Sequence, residues 1–119
     1  MKSKDNFLDY IYIPVPGLVW REEDGTVILD VENRGFFNFL AQKAAHRPRV
    51  SHISLDAYGS VLWKHLDGRN TVFDLAEIMK ASFPDEKDDM LKRVVHFIRT
   101  LLSVHYIQKS GTARKEDAL

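Results

Sequence analysis

The sequence contains no cysteine among its 119 residues. This absence excludes disulfides, thiolate metal sites and cysteine nucleophiles, and it is compatible with a reducing cytosol. No uncharged apolar run reaches the length of a transmembrane helix. The N-terminal stretch Met1–Tyr10 has neither the apolar core nor the cleavage site of a signal peptide. We therefore expect a cytoplasmic protein that does not enter a membrane.

An excess of one charge is also lacking, because 17 basic side chains balance 17 acidic ones. A uniform basic surface for nucleic acid is thereby excluded, although a local basic patch stays possible. The length favours one domain. We predict a single domain over residues 1–109 and a polar, disordered tail over residues 110–119.

The motifs of common catalytic sites are missing as well. The sequence has no P-loop, no dinucleotide-binding fingerprint and no nucleophile elbow. Its histidines do not pair at i, i+4 on one predicted helix, so we interpret them as ordinary surface or half-buried side chains and predict neither a metal nor a cofactor. The histidines are His46, His52, His65, His96 and His105. An enzyme is therefore the weakest of the functional hypotheses.

The strands are indicated by β-prone runs and by one turn. Asp24-Gly25 separates Leu18–Glu23 from Thr26–Val31, and an Asp-Gly pair between such runs predicts a β-hairpin. Arg49–Leu55 reads as a third strand. Phe7–Val15 is expected to be extended, and Tyr106–Gln108 to add a short terminal strand.

Helical spacing of apolar residues predicts three helices after the third strand. The first lies within Leu55–Gly68, with Asp56 as its N-cap. The second, Thr71–Phe83, opens with a capping-box pattern, and the third covers Asp85–Tyr106. A further helix is predicted at Asn33–His46, before the third strand. The fold class is therefore α+β and winged-helix-like: an N-terminal three-stranded antiparallel sheet, then a three-helix bundle, with an extra helix inserted before the third strand.

A basic stripe follows the last predicted helix and is formed by Lys92, Arg93, His96 and Arg99. It has three interpretations. It is a solvated helix face, or a DNA-recognition helix, or one wall of a peptide groove. In the third case the edge strand Arg49–Leu55 would be the other wall, because an exposed strand edge can accept an extended peptide.

Two segments carry a resemblance to a known family. They are ISLDAYGSVLWKHLDGRNTVFDLAEIM at Ile53–Met79 and FIRTLLSVHYIQ at Phe97–Gln108. The pattern of strand, polar cap, helix, Asp-Gly, Thr-Val and second helix resembles the PqqD family of pyrroloquinoline quinone biosynthesis and its relatives. The segment Gly35–Val50 is similar to one found in a subset of PqqD-like proteins.

The resemblance implies a winged-helix-like fold and a non-catalytic peptide-recognition element. Such a chaperone binds the leader of a ribosomally made precursor peptide and presents it to a modifying enzyme, often a radical SAM enzyme. The Gly35–Pro48 insertion departs from the quinone-pathway members, so both that pathway and a different precursor stay open. The chain would act as a monomer or a homodimer. A winged-helix DNA-binding regulator is the alternative.

The family's groove lies between its third strand and third helix, which implies a set of candidate peptide-binding residues in this sequence. Lys92, His96 and Arg99 would attract acidic leader residues. Ile53, Leu91, Val95 and Ile98 would offer apolar contacts if they are not wholly in the core. The full candidate set is Arg49, Val50, Ser51, His52, Ile53, Ser54, Leu91, Lys92, Val95, His96, Ile98 and Arg99.

Overall fold

The structure is a computed structural model that describes residues 6–33 and 49–113. Its strands and α-helices are β1 (Tyr10–Pro14), β2 (Val19–Glu23), β3 (Thr26–Asn33), β4 (Arg49–Ser54), α1 (Ala57–Lys64), α2 (Val72–Ser82), α3 (Met90–Ser103) and β5 (Ile107–Thr112). The predicted α+β class, with antiparallel sheets and three helices, is confirmed. The predicted helix at Asn33–His46 and the Gly35–Pro48 insertion lie outside the described residues, apart from Asn33, which ends β3.

The chain divides into two units. One is Gly17–Ser60, which contains the sheet β2-β3-β4, and the other comprises the remaining described residues. None of the helices in the described ranges is long and apolar enough to cross a membrane.

The predicted hairpin is formed by β2 and β3. Asp24 and Gly25 have φ angles of 52° and 84°, and positive φ at both positions is what a type I′ turn requires. Val27 and Leu29 on β3 are fully buried. Arg21 on β2 lies directly opposite Ile28 on β3. The local turn signal therefore fixed both the position and the register of this hairpin.

The predicted third strand is confirmed as β4, which pairs antiparallel with β3. At the end of this ladder the Leu55 amide donates to the Val27 carbonyl at 2.9 Å. The reciprocal bond is replaced by Ser60, whose hydroxyl accepts from the Val27 amide at 2.9 Å and donates to the Leu55 carbonyl at 3.3 Å. Ser60, on α1 and 1% exposed, thus completes the ladder where strand pairing stops.

Replacing Ser60 with alanine is expected to lower the free energy of unfolding by about 1–3 kcal/mol, because the buried Val27 amide would lose its acceptor. Chemical denaturation followed by circular dichroism measures this change. The matched control is Ser54→Ala at an exposed serine, which should stay within about 0.5 kcal/mol. Equal effects of the two substitutions would contradict the bridging role of Ser60.

Helix α1 begins where the sequence predicts. The Asp56 carboxylate accepts from the Gly59 amide at 2.7 Å, which is the N-cap bond. The helix ends at Lys64, before Asp67-Gly68. The amides of His65 and Leu66 then bond to carbonyls three residues earlier, so the Asp-Gly pair belongs to the turn that follows the helix.

Helix α2 carries the predicted capping box. The Thr71 hydroxyl accepts from the Asp74 amide at 3.0 Å, and the Asp74 carboxylate accepts from the Thr71 amide at 3.0 Å. The predicted apolar stripe is buried at Val72, Leu75, Ala76 and Met79.

Helix α3 is shorter than the predicted range Asp85–Tyr106. Asp89 has a left-handed backbone with φ 63°, so the α-helix starts at Met90 instead of Asp85. It ends at Ser103 because His105 also has positive φ, 61°. The Tyr106 amide bonds to the Leu101 carbonyl and the His105 amide to the Leu102 carbonyl, both at 3.0 Å. This is the Schellman pattern that closes a helix.

A second, two-stranded sheet joins the two ends of the described chain. β1 pairs antiparallel with β5, from Tyr10 opposite Thr112 to Pro14 opposite Ile107. The expected extended segment and the expected terminal strand are therefore partners. The prediction of a disordered tail from residue 110 is corrected at Ser110–Thr112, which belong to β5 because β1 supplies their strand partner. Residues 114–119 lie outside the described residues.

Candidate functional site

Strand β4 lies at one edge of the sheet β2-β3-β4. One hydrogen-bonding side of β4 pairs with β3, and the other side faces no strand in the described ranges. This edge is the strand half of the predicted peptide groove.

The register decides which main-chain groups of β4 face the open side. Because Leu55 bonds to Val27, residues two and four positions before Leu55 also turn their amides and carbonyls toward β3. The alternation of the ladder then directs the amides and carbonyls of Val50, His52 and Ser54 away from β3. The main-chain amides and carbonyls of these three residues are therefore available to hydrogen-bond with an added strand.

The side chains of β4 alternate in exposure. Those of Val50, His52 and Ser54 are exposed, and those of Ser51 and Ile53 are half-buried. Arg49 begins the strand, opposite Asn33. Five of the six predicted β4 residues therefore have at least partly accessible side chains in the described structure.

On the exposed face of this sheet, three strands contribute to one polar cluster, which we call the Asp30 cluster: Arg21, Glu23, Asp30 and His52. Arg21 Nη1 donates to both Asp30 oxygens, at 2.7 and 2.5 Å, and Arg21 Nε donates to Glu23 at 2.8 Å. His52 Nδ1 lies 2.6 Å from Asp30 Oδ1. The hydrogen bond from His52, and after it the bond from Arg21, holds the pKa of Asp30 below its ordinary value.

The Asp30 cluster was not predicted from the sequence, although His52 was in the candidate set. Along the chain, Asp30 is 9 residues from Arg21 and 22 residues from His52. The contact between Asp30 and His52 could have been predicted only from the register of β3 with β4, which sets the two residues directly opposite each other. Cross-strand neighbours of opposite charge are expected to interact.

Helix α3 carries the other half of the predicted site. Lys92, His96 and Arg99 are exposed, and Leu91 and Val95 are half-buried. Ile98 is 0% exposed and lies in the core, so its side chain is not accessible to a peptide. The helical period turns Ile98 inward together with Val94 and Leu101, both buried.

Two cations of the basic stripe interact with other parts of the chain. The Arg99 guanidinium lies 5.1 Å from the centre of the Phe7 ring, a cation–π distance. Arg93 Nη1 donates to Glu86 at 3.0 Å. Neither pair was predicted from the sequence. Phe7 and Arg99 lie near opposite ends of the described chain, and Glu86 is seven residues before Arg93.

Phe7 also belongs to an aromatic cluster with Tyr10 and Tyr12. Their ring centres are 5.8 to 6.3 Å apart, and Lys109 Nζ lies 3.7 Å from the Tyr10 ring centre. Burial raises the pKa of Tyr12, nearby Tyr10 adds to the rise, and Arg99 opposes it. This cluster anchors the N-terminal segment beside the basic stripe.

The described residues contain no group of three or more histidine and acidic side chains that could hold a metal ion. The described geometry consists of the outward main-chain groups of β4 and of charged side chains on β4 and α3.

The family model for coenzyme PQQ synthesis protein D (PqqD) matches residues 25–107. This range covers well over half of the chain and contains β4, all three helices and the start of β5. The chain belongs to the PqqD family. No curated protein and no solved structure matches it. Membership places the chain among accessory, peptide-binding proteins linked to coenzyme PQQ synthesis, and it confirms the resemblance carried by Ile53–Met79 and Phe97–Gln108.

Proposed function

We propose that this PqqD-family chain is a non-catalytic chaperone that binds a precursor peptide as an added strand along the open edge of β4. The peptide is the leader of a ribosomally made precursor, held for a modifying enzyme that we propose to be a radical SAM enzyme. The observation that carries the proposal is the open edge itself, with the outward main-chain groups of Val50, His52 and Ser54.

The two edges of the sheet differ in a way that supports this choice. The strand at the opposite edge, β2, reads VWREE and has three consecutive charged residues. Charged side chains on an edge strand discourage pairing with another strand. β4 reads RVSHIS, with Arg49 at its first position and His52 as the one titratable residue from Val50 to Ser54. The β4 edge is therefore the better acceptor for a peptide.

The same proposal includes a second contact region for the peptide, a fold arrangement, a location and an oligomeric state. The basic stripe of α3, with Leu91 and Val95, stays a predicted second contact region for the peptide. The winged-helix-like arrangement, a cytoplasmic location and a monomer or homodimer also stay predictions. The precursor of coenzyme PQQ synthesis is the first peptide to consider, because the family match names that pathway.

The alternative of a DNA-binding regulator has less support. Arg93 and Arg99 interact with Glu86 and Phe7, so two of the four basic side chains of the stripe are engaged within the chain. The equal number of acidic and basic side chains also argues against a strong phosphate-binding field.

The proposal is tested by selecting peptides from a random display library of about twelve residues and mapping the amides they protect. Bound peptide is expected to slow hydrogen exchange at Val50, His52 and Ser54, whose amides face the open side. The amides of Ser51 and Ile53 face β3 and should already exchange slowly without peptide. Selected peptides that protect amides elsewhere and leave β4 unchanged would refute strand addition at this edge.

A further inference from the structure

The hydrogen bond between Asp30 and His52 fixes the position of one proton on the histidine ring. An ionised carboxylate can only accept hydrogen bonds, and the two donors around Asp30 keep it ionised. The proton of a neutral His52 ring must therefore be on Nδ1, 2.6 Å from Asp30 Oδ1. Nε2 is left as an acceptor in the neutral ring and becomes a donor once the ring is protonated.

The position of His52 relates this second nitrogen to a bound peptide. His52 is one of the three β4 residues whose main chain faces the open side, and its side chain is 64% exposed. An added strand places a side chain directly beside that of His52 on the same face of the sheet. Nε2 is the ring atom with hydrogen-bonding capacity left for that neighbour.

We propose that His52 is a specificity-determining residue that selects a carboxylate side chain in the peptide strand and does so only when its ring is protonated. The inference rests on the proposed function, because it requires a peptide on the β4 edge.

The charges of the Asp30 cluster favour this selectivity. Among the side chains that the structure describes, the charged groups beside His52 are Asp30 on β3 and, on β2, Arg21, which binds both Asp30 and Glu23. With a neutral ring the cluster has one positive and two negative charges, which repel a further carboxylate. Protonation of His52 balances the charges and supplies an Nε2–H donor. An acidic side chain at this position is therefore attracted at lower pH and repelled at higher pH.

The test selects peptides from the same random library on the wild-type chain at about pH 5.5 and about pH 8, on either side of the ordinary histidine pKa. At the lower pH we expect Asp or Glu to be enriched at one peptide position. A selected peptide should bind about tenfold more tightly at the lower pH, as measured by fluorescence anisotropy, because the bond involves two charged partners. Its Glu→Gln variant should show no such difference.

Two protein variants separate the roles of His52 and Asp30. His52→Gln should remove both the acidic preference and the pH dependence while peptides still bind. Asp30→Asn tests Asp30 as a positioning residue. A neutral amide can donate or accept, so the neutral ring can carry its proton on Nε2 and bind a carboxylate at either pH. We expect the affinity ratio between the two pH values to fall below about threefold in Asp30→Asn, with the acidic preference retained.

The outcomes distinguish the two proposals. A library that yields no peptide protecting the β4 amides at either pH refutes strand addition, and the inference with it. Peptides that protect these amides without an acidic preference, or with the same affinity at both pH values, overturn the role of His52 alone. An unchanged pH profile in His52→Gln has the same consequence.

Discussion

Replacing Ile98 with alanine is expected to lower the free energy of unfolding by about 2–5 kcal/mol, the usual cost of truncating a large buried aliphatic side chain. Ile98 is fully buried on α3, between the buried residues Val94 and Leu101. Because its side chain lies in the core, its truncation leaves a cavity there and removes no surface available to a peptide. Chemical denaturation followed by circular dichroism measures the loss.

The matched control on the same helix is Lys92→Ala. Lys92 is exposed, so this substitution should change stability by no more than about 0.5 kcal/mol. Peptide binding by the folded fraction of the Ile98→Ala protein should match that of the wild type. If Ile98→Ala kept its stability and lost peptide affinity, Ile98 would return to the set of peptide contacts.

The second large expected effect comes from replacing either of two β4 serines, Ser54 or Ser51, with proline. Ser54→Pro removes an amide that faces the open side, so it should weaken peptide binding by removing the donor for one peptide carbonyl. The expected cost is about 1–3 kcal/mol, which corresponds to a roughly 5- to 150-fold rise in Kd. The β3-β4 ladder does not use this amide, so stability should change little.

Ser51→Pro is the opposite case. The Ser51 amide faces β3, opposite Val31, so proline there should destabilise the fold by about 1–3 kcal/mol through loss of a ladder bond. Ser54→Ala controls for loss of the hydroxyl, because it keeps the amide and should bind peptide normally. Calorimetric titration with a selected peptide and denaturation curves give the two readouts. A reversal, with Ser51→Pro impairing binding and Ser54→Pro impairing stability, would show that the deduced alternation is wrong.

Features that depend on a few neighbouring residues could be predicted from the sequence. The Asp24-Gly25 turn, the Asp56 cap and the Thr71–Asp74 capping box all appear as expected. Each is determined by residues within four positions of one another, where steric limits and short hydrogen bonds act without the rest of the fold. The strand half of the candidate site followed from the same local signals.

Features that need partners far along the chain were missed. The sequence suggested neither the bridging hydroxyl of Ser60 nor the pairing of β1 with β5 that extends the last strand to Thr112. It also placed Ile98 among the candidate peptide contacts, because helical period assigns a face to a residue but cannot tell whether that face is covered. Burial is settled by what packs against the helix.

The sequence by itself determined the Asp24-Gly25 turn, the caps at Asp56 and Thr71 and the resemblance to the family, and it predicted Arg49–Leu55 as the candidate docking strand. These features depend on hydrogen bonding and hydrophobic period among neighbouring residues. The tertiary structure alone decided that β4 lies at an edge with no further strand beside it in residues 6–33 and 49–113, that Val50, His52 and Ser54 face that side, and that Asp30 binds one nitrogen of His52. The physical reason is that sheet order, register and cross-strand contacts depend on which distant segments pair.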